Sequence, residues 1–341
     1  MPKPPTVSVI ICAYTQQRWA LIQKAVASAE AQTLPPAEII LCIDHNKELL
    51  RKSQQHFAAG RPAWAIPLTV LANRYDGHLG SARNTAAEVA TGEVLAFLDD
   101  DAAAAADWLE RLIAPYEDPA VGAVGGAPLP VYEGQRPRWF PHEFDWVFGC
   151  AYQGLPSTRA PLAHLIGANM SVRHSIFQEI GGFHSDDHDD MDMCHRVAFA
   201  QYQVLYEPGA VVRHFVPATR TTWRYFWRRC YFVNRGKVEA FANMEGAGHL
   251  GAELTFVRRT VKTAVPAGIR QAFRGDVYGL VRVGAMIAGM GLAGFGHLAG
   301  EIRLRAVRRA LPPDSEADPA QSENGRNDSP SSLVLAWFGT S

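Results

Sequence analysis

The chain has 341 residues, 48% apolar and 20% charged, with a formal net charge of −1. That length can bury one large core or two smaller ones, and the composition is that of an ordinary globular protein rather than a disordered chain. The near-zero charge excludes a uniform polyion, so only the local distribution of charge bears on partners. Five cysteines, Cys12, Cys42, Cys150, Cys194 and Cys230, are scattered without zinc-type spacing and read as reduced thiols of a cytoplasmic protein. The first apolar run lacks the charged flank and cleavage site of a signal peptide.

Taken in chain order, Val7–Tyr14 is a continuous apolar run, the mark of a strand covered on both faces. Leu21, Ala25, Val26 and Ala29 recur at helical spacing and predict a helix over 19–31. Strands follow at 38–44 and 68–71, with a helix at 47–58 between them. A helix over 81–90 is stopped by Gly92, and a fourth strand covers 93–99. Asp107 is placed to cap a helix over 108–116, and 121–125 is a fifth strand. Strands alternating with helices predict βαβ units and a mostly parallel sheet. A Pro/aromatic loop spans 128–161. Beyond it come the segment 165–172, helices at 175–180 and 191–200, and two short strands at 203–206 and 211–214.

Three aspartates, Asp99, Asp100 and Asp101, close the fourth strand. Adjacent carboxylates repel unless a cation sits among them, and hard divalent cations take carboxylates together with substrate phosphates. Ligands of open α/β sheets bind beyond the carboxyl ends of the strands. The run therefore reads as a metal–diphosphate site, the alternative being a solvated acidic turn. Asp44 ends the second strand at the same edge, where a carboxylate can meet a base or ribose. GxGxxG and GxxxxGK[ST] are both absent, which disfavours a dinucleotide oxidoreductase and a P-loop enzyme. The stretch 77–84 opens a helix whose free N–H groups and Arg83 suit an anion.

Downstream, Asp186, Asp187, Asp189, Asp190 and Asp192 form an acidic cluster. Between Arg213 and Arg274, twelve Lys/Arg face three Glu, a local net of +9. Within it Arg224, Arg228 and Arg229 alternate with aromatics. Such a tract fits a membrane interface, with the arginines on anionic lipid or phosphate, better than nucleic acid, the plain alternative being a helix with one packed and one solvated face. Residues 283–300 hold no Asp, Glu, Lys or Arg and are at the short end of a span of ~20 residues. A membrane span, interfacial embedding and a buried soluble helix all fit. Residues 311–331 are Pro/Ser/Asn/Asp-rich and read as disordered, and the apolar end 333–338 is unexplained.

The first strand, Asp44, Gly80–Ser81–Ala82–Arg83–Asn84 and Phe97–Leu98–Asp99–Asp100–Asp101 together resemble family 2 glycosyltransferases of the GT-A fold. Gly167–Ala168–Asn169–Met170–Ser171–Val172–Arg173, Gly181–Gly182–Phe183 and Asp189–Asp190–Met191–Asp192–Met193–Cys194 resemble that family's later motifs. The likeness covers roughly 5–215. Two departures are Asp189 where the family usually has Glu, and Asp44–His45–Asn46 in place of an acidic-Gly-Ser turn. The Trp/Pro loop and basic tract look like a subgroup acting on polyprenyl-linked sugars, which includes glucosyl-dolichyl-phosphate glucuronosyltransferases.

The resemblance implies a GT-A domain over 1–215, a basic, apolar helical extension associated with membrane over 216–310, and a tail over 311–341. It implies an inverting transfer from a nucleotide-sugar donor, a UDP-sugar favoured, to a lipid-linked or cell-envelope glycan acceptor at the cytoplasmic face of the membrane. Mg²⁺ or Mn²⁺ would be held by Asp101 and His214, although a lone histidine beside a basic loop also fits a polar surface residue. Asp44, Arg83, Asn84, Asp99 and Asp100 would bind the donor. Asn169, Trp139 and Trp146 would line the sugar pocket. Among Asp189, Asp190 and Asp192, Asp190 would be the general base. A sugar-nucleotide pyrophosphorylase would need a Gly-rich basic loop after the first strand, which 13–18 does not supply. A catalytically inactive sugar- or membrane-binding module is the non-enzymatic alternative.

Overall fold

In the computed structural model, residues 4–58, 60, 62–63, 65–184, 188–241 and 251–310 are described. Asp186, Asp187 and everything expected of 311–341 lie outside them.

The first half alternates as its sequence predicts: β1 (Val7–Ala13), α1 (Trp19–Glu30), β2 (Glu38–Ile43), α2 (Lys47–Ser53), β3 (Leu68–Ala72), α3 (Leu79–Ala87) and β4 (Val94–Asp99). β5 (Ala102–Ala104), α4 (Trp108–Ile113) and β6 (Val121–Tyr132) follow. Then come β7 (Ala160–Pro161), β8 (Asn169–Arg173), α5 (His174–Glu179), α6 (Asp189–Phe199) and β9 (Gln203–Val216). The chain closes with α7 (Trp223–Ala240), α8 (Gly251–Arg259), α9 (Val265–Phe273) and α10 (Tyr278–Ala310).

The strands form one sheet in the order β3-β2-β1-β4-β8-β6-β9-β5, with β7 on β9. β3, β2, β1 and β4 are parallel. The other half is mixed, within a sheet whose longest ladders are parallel, as expected. β8 runs antiparallel to both β4 and β6, and β6 runs parallel to β9. β8 begins beside Gly125 and runs back against the first half of β6, while β6 itself continues to Tyr132 along β9. The two short strands expected at 203–206 and 211–214 are one strand, bulged opposite Gly125–Ala127.

Two apolar clusters cover the two faces of the sheet. One is built on Val9, Ile11, Ile39, Leu41 and Trp108, the other on Ile10, Ile40, Phe97, Met170 and Phe177. Alternate residues of β1 and β2 enter opposite clusters, which is why these strands read as unbroken apolar runs. Gly92 does not end the helix as expected, because α3 stops at Ala87. It sits where a Cβ would lie 2.4 Å from the backbone of Ser8. Asp107 occupies the cap position of α4 but accepts no capping hydrogen bond from the helix backbone; its carboxylate accepts from Arg111 instead.

A third cluster joins the Pro/aromatic loop to the C-terminal helices, through Phe140, Phe144, Phe148, Val216, Phe226 and Met286. Residues 216–310 therefore share a core with the loop after β6. α10 lies along α7, and at Gly296 a side chain would collide with the Tyr231 carbonyl. Its other side, with the α9–α10 turn, leaves Phe273 (89% exposed), Val277, Leu280, Phe295 and Leu298 exposed. Residues 278–306 are long and apolar enough to cross a membrane by length and composition alone.

Candidate active site

The acidic run lies at the carboxyl edge of the parallel half. Asp99 is the last residue of β4, and Asp100 and Asp101 form the turn into β5. β5 pairs with β9 so that Ala102 faces His214, and Phe215 N donates to the Asp101 carbonyl at 2.8 Å. This pairing brings His214 against Asp101, with Nε2 2.9 Å from Oδ1. One ligand atom each from Asp99, Asp101 and His214 lies within 4.8 Å of the others.

Burial by itself would raise the Asp101 pKa, but the contacts with His214 and the charges of Arg18 and Arg220 outweigh it and hold it low. Burial likewise opposes protonation of His214, yet the Asp101 and Cys150 contacts carry its pKa up to about 10. Cys150 Sγ stands 3.4 Å from His214 Nδ1 and orients the ring. Asp101 Oδ1 is buried without a well-directed hydrogen bond, as is Asp100 Oδ2. Buried acceptors left in that state cost free energy unless a ligand satisfies them. Two carboxylates and an imidazole converging beside such oxygens fit a divalent cation.

Arg83 is wholly buried. Its Nη1 donates to Asp189 at 2.7 Å, and its Nη2 donates to Asp99 at 3.2 Å and to the Gly167 carbonyl at 2.9 Å. The expected anion-binding fork is thus engaged with protein, because a buried guanidinium must be paired. Asn84 is also turned inward. It accepts from Phe183 N and donates to Phe183 O, clamping the Gly181–Gly182–Phe183 turn. Neither side chain lines an open nucleotide pocket as expected.

Asn169 departs from its expected place in a sugar pocket. It is fully buried, accepts from Trp108 Nε1 at 2.7 Å and donates to the Ala210 carbonyl at 2.8 Å. Trp139 packs edge-on against Trp223 and Phe226, and Trp146 against Phe144, so both belong to the third cluster rather than a sugar pocket. Asp100 pairs with Arg18 at 2.7 Å, and burial pushes its carboxyl up to about 7. It faces Arg18 rather than an open donor pocket.

Of the acidic pair at the start of α6, Asp189 is bound to Arg83. Asp190 is partly exposed and forms no ion pair among the described residues; its Oδ2 accepts from Gly167 N at 3.0 Å. Burial raises its pKa, with Arg83 opposing. Asp192 is buried against Arg196, which also holds the Ile180 and Gly182 carbonyls, so it braces the turn and is not placed as a base. Asp44, at the end of β2, accepts from Asn73 at 2.8 Å and contacts His45 Nδ1 at 2.7 Å. A Cβ at Gly77 would press on Asp44 and His45, so the glycine keeps this edge open. Arg224, Arg228 and Arg229 are exposed on α7. Arg18 and Cys150 were missed: a cation just after the first strand was the one available signal for Arg18, and a lone cysteine gives none.

Residues 8–181 match the family described as "Glycosyl transferase family 2". The chain belongs to glycosyl transferase family 2. Over 240 residues it is 32% identical to the glucosyl-dolichyl phosphate glucuronosyltransferase of Haloferax volcanii, covering 65% of this chain and 74% of that one. It is 29% identical over 137 residues to the pre-mycofactocin glycosyltransferase of Mycobacterium tuberculosis, covering 39% and 29% of the two chains. Among solved structures, the Pyrobaculum calidifontis mannosyltransferase PcManGT, in complex with GDP-Man and Mn²⁺, superposes with a TM-score of 0.58. Its identity is 19%, over 89% of this chain and 88% of the other. GalNAc-T7 with UDP, GalNAc and Mn²⁺ superposes with a TM-score of 0.51 at 17% identity, over 75% and 54%. These likenesses establish the GT-A fold of this glycosyltransferase.

Proposed function

We propose that this family 2 enzyme transfers a sugar, with inversion, from a nucleotide-diphosphate donor to a lipid-linked or cell-envelope glycan acceptor at a membrane surface. The convergence of Asp99, Asp101 and His214 at the sheet edge carries this reading. Those three residues would hold Mg²⁺ or Mn²⁺, which when bound acts as a Lewis acid toward the leaving diphosphate. Arg18 fixes the Asp100–Asp101 turn through contacts of 2.7 and 3.1 Å. Asp44 faces the donor's base.

Asp190 is the general base, taking the proton of the acceptor hydroxyl at a carboxylate oxygen. Burial raises its pKa above the ordinary carboxylate value, which makes it a stronger base. Arg83 couples the two halves, binding Asp99 on the donor side and Asp189 beside the base. The likeness to a glucosyl-dolichyl phosphate glucuronosyltransferase supports a lipid-linked acceptor. The exposed apolar face of α9 and α10, beside the exposed arginines of α7, supports attachment at the cytoplasmic face, peripheral or partly embedded.

The test is thermal stabilisation by UDP-, GDP- and dTDP-sugars with and without Mn²⁺, since a ligand that binds only the folded state raises its melting temperature. One donor class, a UDP-sugar first, should stabilise wild type only with metal, and Asp101→Ala should lose that response. Metal-independent stabilisation, or an unchanged response in Asp101→Ala, rejects the reading.

A further inference from the structure

A cleft of about 530 Å³ opens between the end of β6 and the turn His142–Phe148, within the ~300–1,000 Å³ typical of small-molecule sites. No residue of the triad or the base lines it. On one side it adjoins the triad: Pro130 pairs in register with His214, and lining residue Ala151 follows Cys150, which touches His214. On the other side its wall is tied to the apolar rim. Arg138, two residues after lining residue Arg136, stacks 4.2 Å over Tyr278, and its carbonyl accepts from Arg282 at the start of α10. The exposed Phe273 and Val277 flank that turn.

The chemistry of the wall selects the ligand. Asp145 is buried, its side chain 6% exposed, yet it lines the cleft. Its Oδ1 lies 2.8 Å from Arg136 Nη1 but off the line of any hydrogen bond. Arg136 is itself fixed over the rings of Tyr132 and Phe140. A carboxylate only accepts, so Asp145 calls for a donor such as a hydroxyl, while its pairing with Arg136 leaves that guanidinium already engaged rather than free to hold a phosphate. His142 and Gln153 add polar groups that donate and accept. Paired charges, mixed donors and acceptors and an aromatic residue fit a neutral, polyhydroxylated ring.

We infer that this cleft binds a sugar of the acceptor, between the lipid-facing rim and the transfer site. The inference rests on the acceptor reading above and names the residues and ligand class of that subsite. The test is saturation-transfer NMR on the full chain with octyl glucoside, galactoside and mannoside below their micelle concentrations, and with octyl phosphate. Saturation should reach the sugar-ring protons of at least one glycoside in wild type. Leu129→Trp, which fills the cleft from an exposed position, should weaken that glycoside about tenfold or more. His142→Ala, also exposed, should weaken it while leaving the melting temperature unchanged.

No ring saturation from any glycoside, ring signals unaffected by Leu129→Trp, or displacement of the glycoside by octyl phosphate each overturns the inference. Binding of UDP or GDP with Mn²⁺ is measured on the same samples. Its failure beside normal glycoside behaviour counts against the donor reading and leaves the cleft standing.

Discussion

Arg83 on α3 donates to Asp189 on α6 at 2.7 Å, a buried contact between residues 106 apart in sequence. The same guanidinium holds Asp99 and the Gly167 carbonyl, so one cation fixes the end of β4, the turn before β8 and the start of α6. Burial works against the charge, but Asp189 and Asp99 outweigh it and raise the Arg83 pKa further. Arg83→Met leaves buried Asp189 and part-exposed Asp99 without their partner. Urea denaturation should show a loss of about 3–5 kcal/mol. Arg83→Lys should not restore full stability, because an ammonium cannot reproduce the planar fork.

Asp190 and Asp192 should separate cleanly. Asp190→Asn keeps size but cannot accept a proton as a base; turnover should fall on the order of 10²-fold or more with donor affinity kept. In wild type, burial places the Asp190 pKa above the ordinary carboxylate value. The base works only when ionised, so turnover should fall as pH drops through that raised pKa, and Asp190→Asn should lose this acid limb. Asp192→Asn weakens the brace to Arg196. It should cost about 1–3 kcal/mol of stability and leave turnover largely intact. Turnover near wild type in Asp190→Asn, with a large loss in Asp192→Asn, would move the base to Asp192, in the same first turn of α6.

His164 sets an acid-side stability limit. Burial, with Lys237 nearby, pushes its pKa down to about 4, while Glu253 opposes and His195 and His188 add to the depression. Its ring lies parallel to Phe241 and its Nδ1 has no hydrogen bond. The folded state holds His164 neutral, whereas the unfolded chain protonates it near pH 6.5. This contribution is therefore complete above pH 6.5 and is lost as pH falls from 6.5 toward 4. It amounts to on the order of 2–3 kcal/mol. Equilibrium unfolding across that window should show a shallower slope in His164→Phe; an identical slope would assign the pH dependence to other groups.

Two kinds of surface variant should divide the membrane interaction. Arg224→Gln, Arg228→Gln and Arg229→Gln together should weaken flotation with phosphatidylserine vesicles by about 1 kcal/mol per charge at low salt. They should do little with neutral vesicles. Phe273→Ser with Val277→Ser removes the most exposed apolar side chains of the α9–α10 turn and should weaken binding to both vesicle types. Absence of vesicle binding by the wild-type chain would remove the membrane from the proposal.

The sequence by itself determined the parallel half and the acidic edge where its strands end. β1, β2 and β4 are buried on both faces and so read as unbroken apolar runs. Asp44 and the Asp99–Asp101 run sit at strand ends, where local pattern alone locates them. Side-chain pairing was decided only by the tertiary structure. Arg83, Asn84 and Asn169 stand within motif stretches that resemble the family's, but motif position does not distinguish a ligand-facing polar group from one bonded across the core. Their partners Asp189, Phe183 and Trp108 are supplied by distant segments.

The return direction of β8, the bulge that keeps β9 continuous and the seating of Trp139 and Trp146 among the C-terminal helices are likewise long-range outcomes. Hydrophobic period reports which face a residue occupies, not what lies across it. His214 joins Asp101 only through the β5–β9 register, a pairing that carries no local sequence signature.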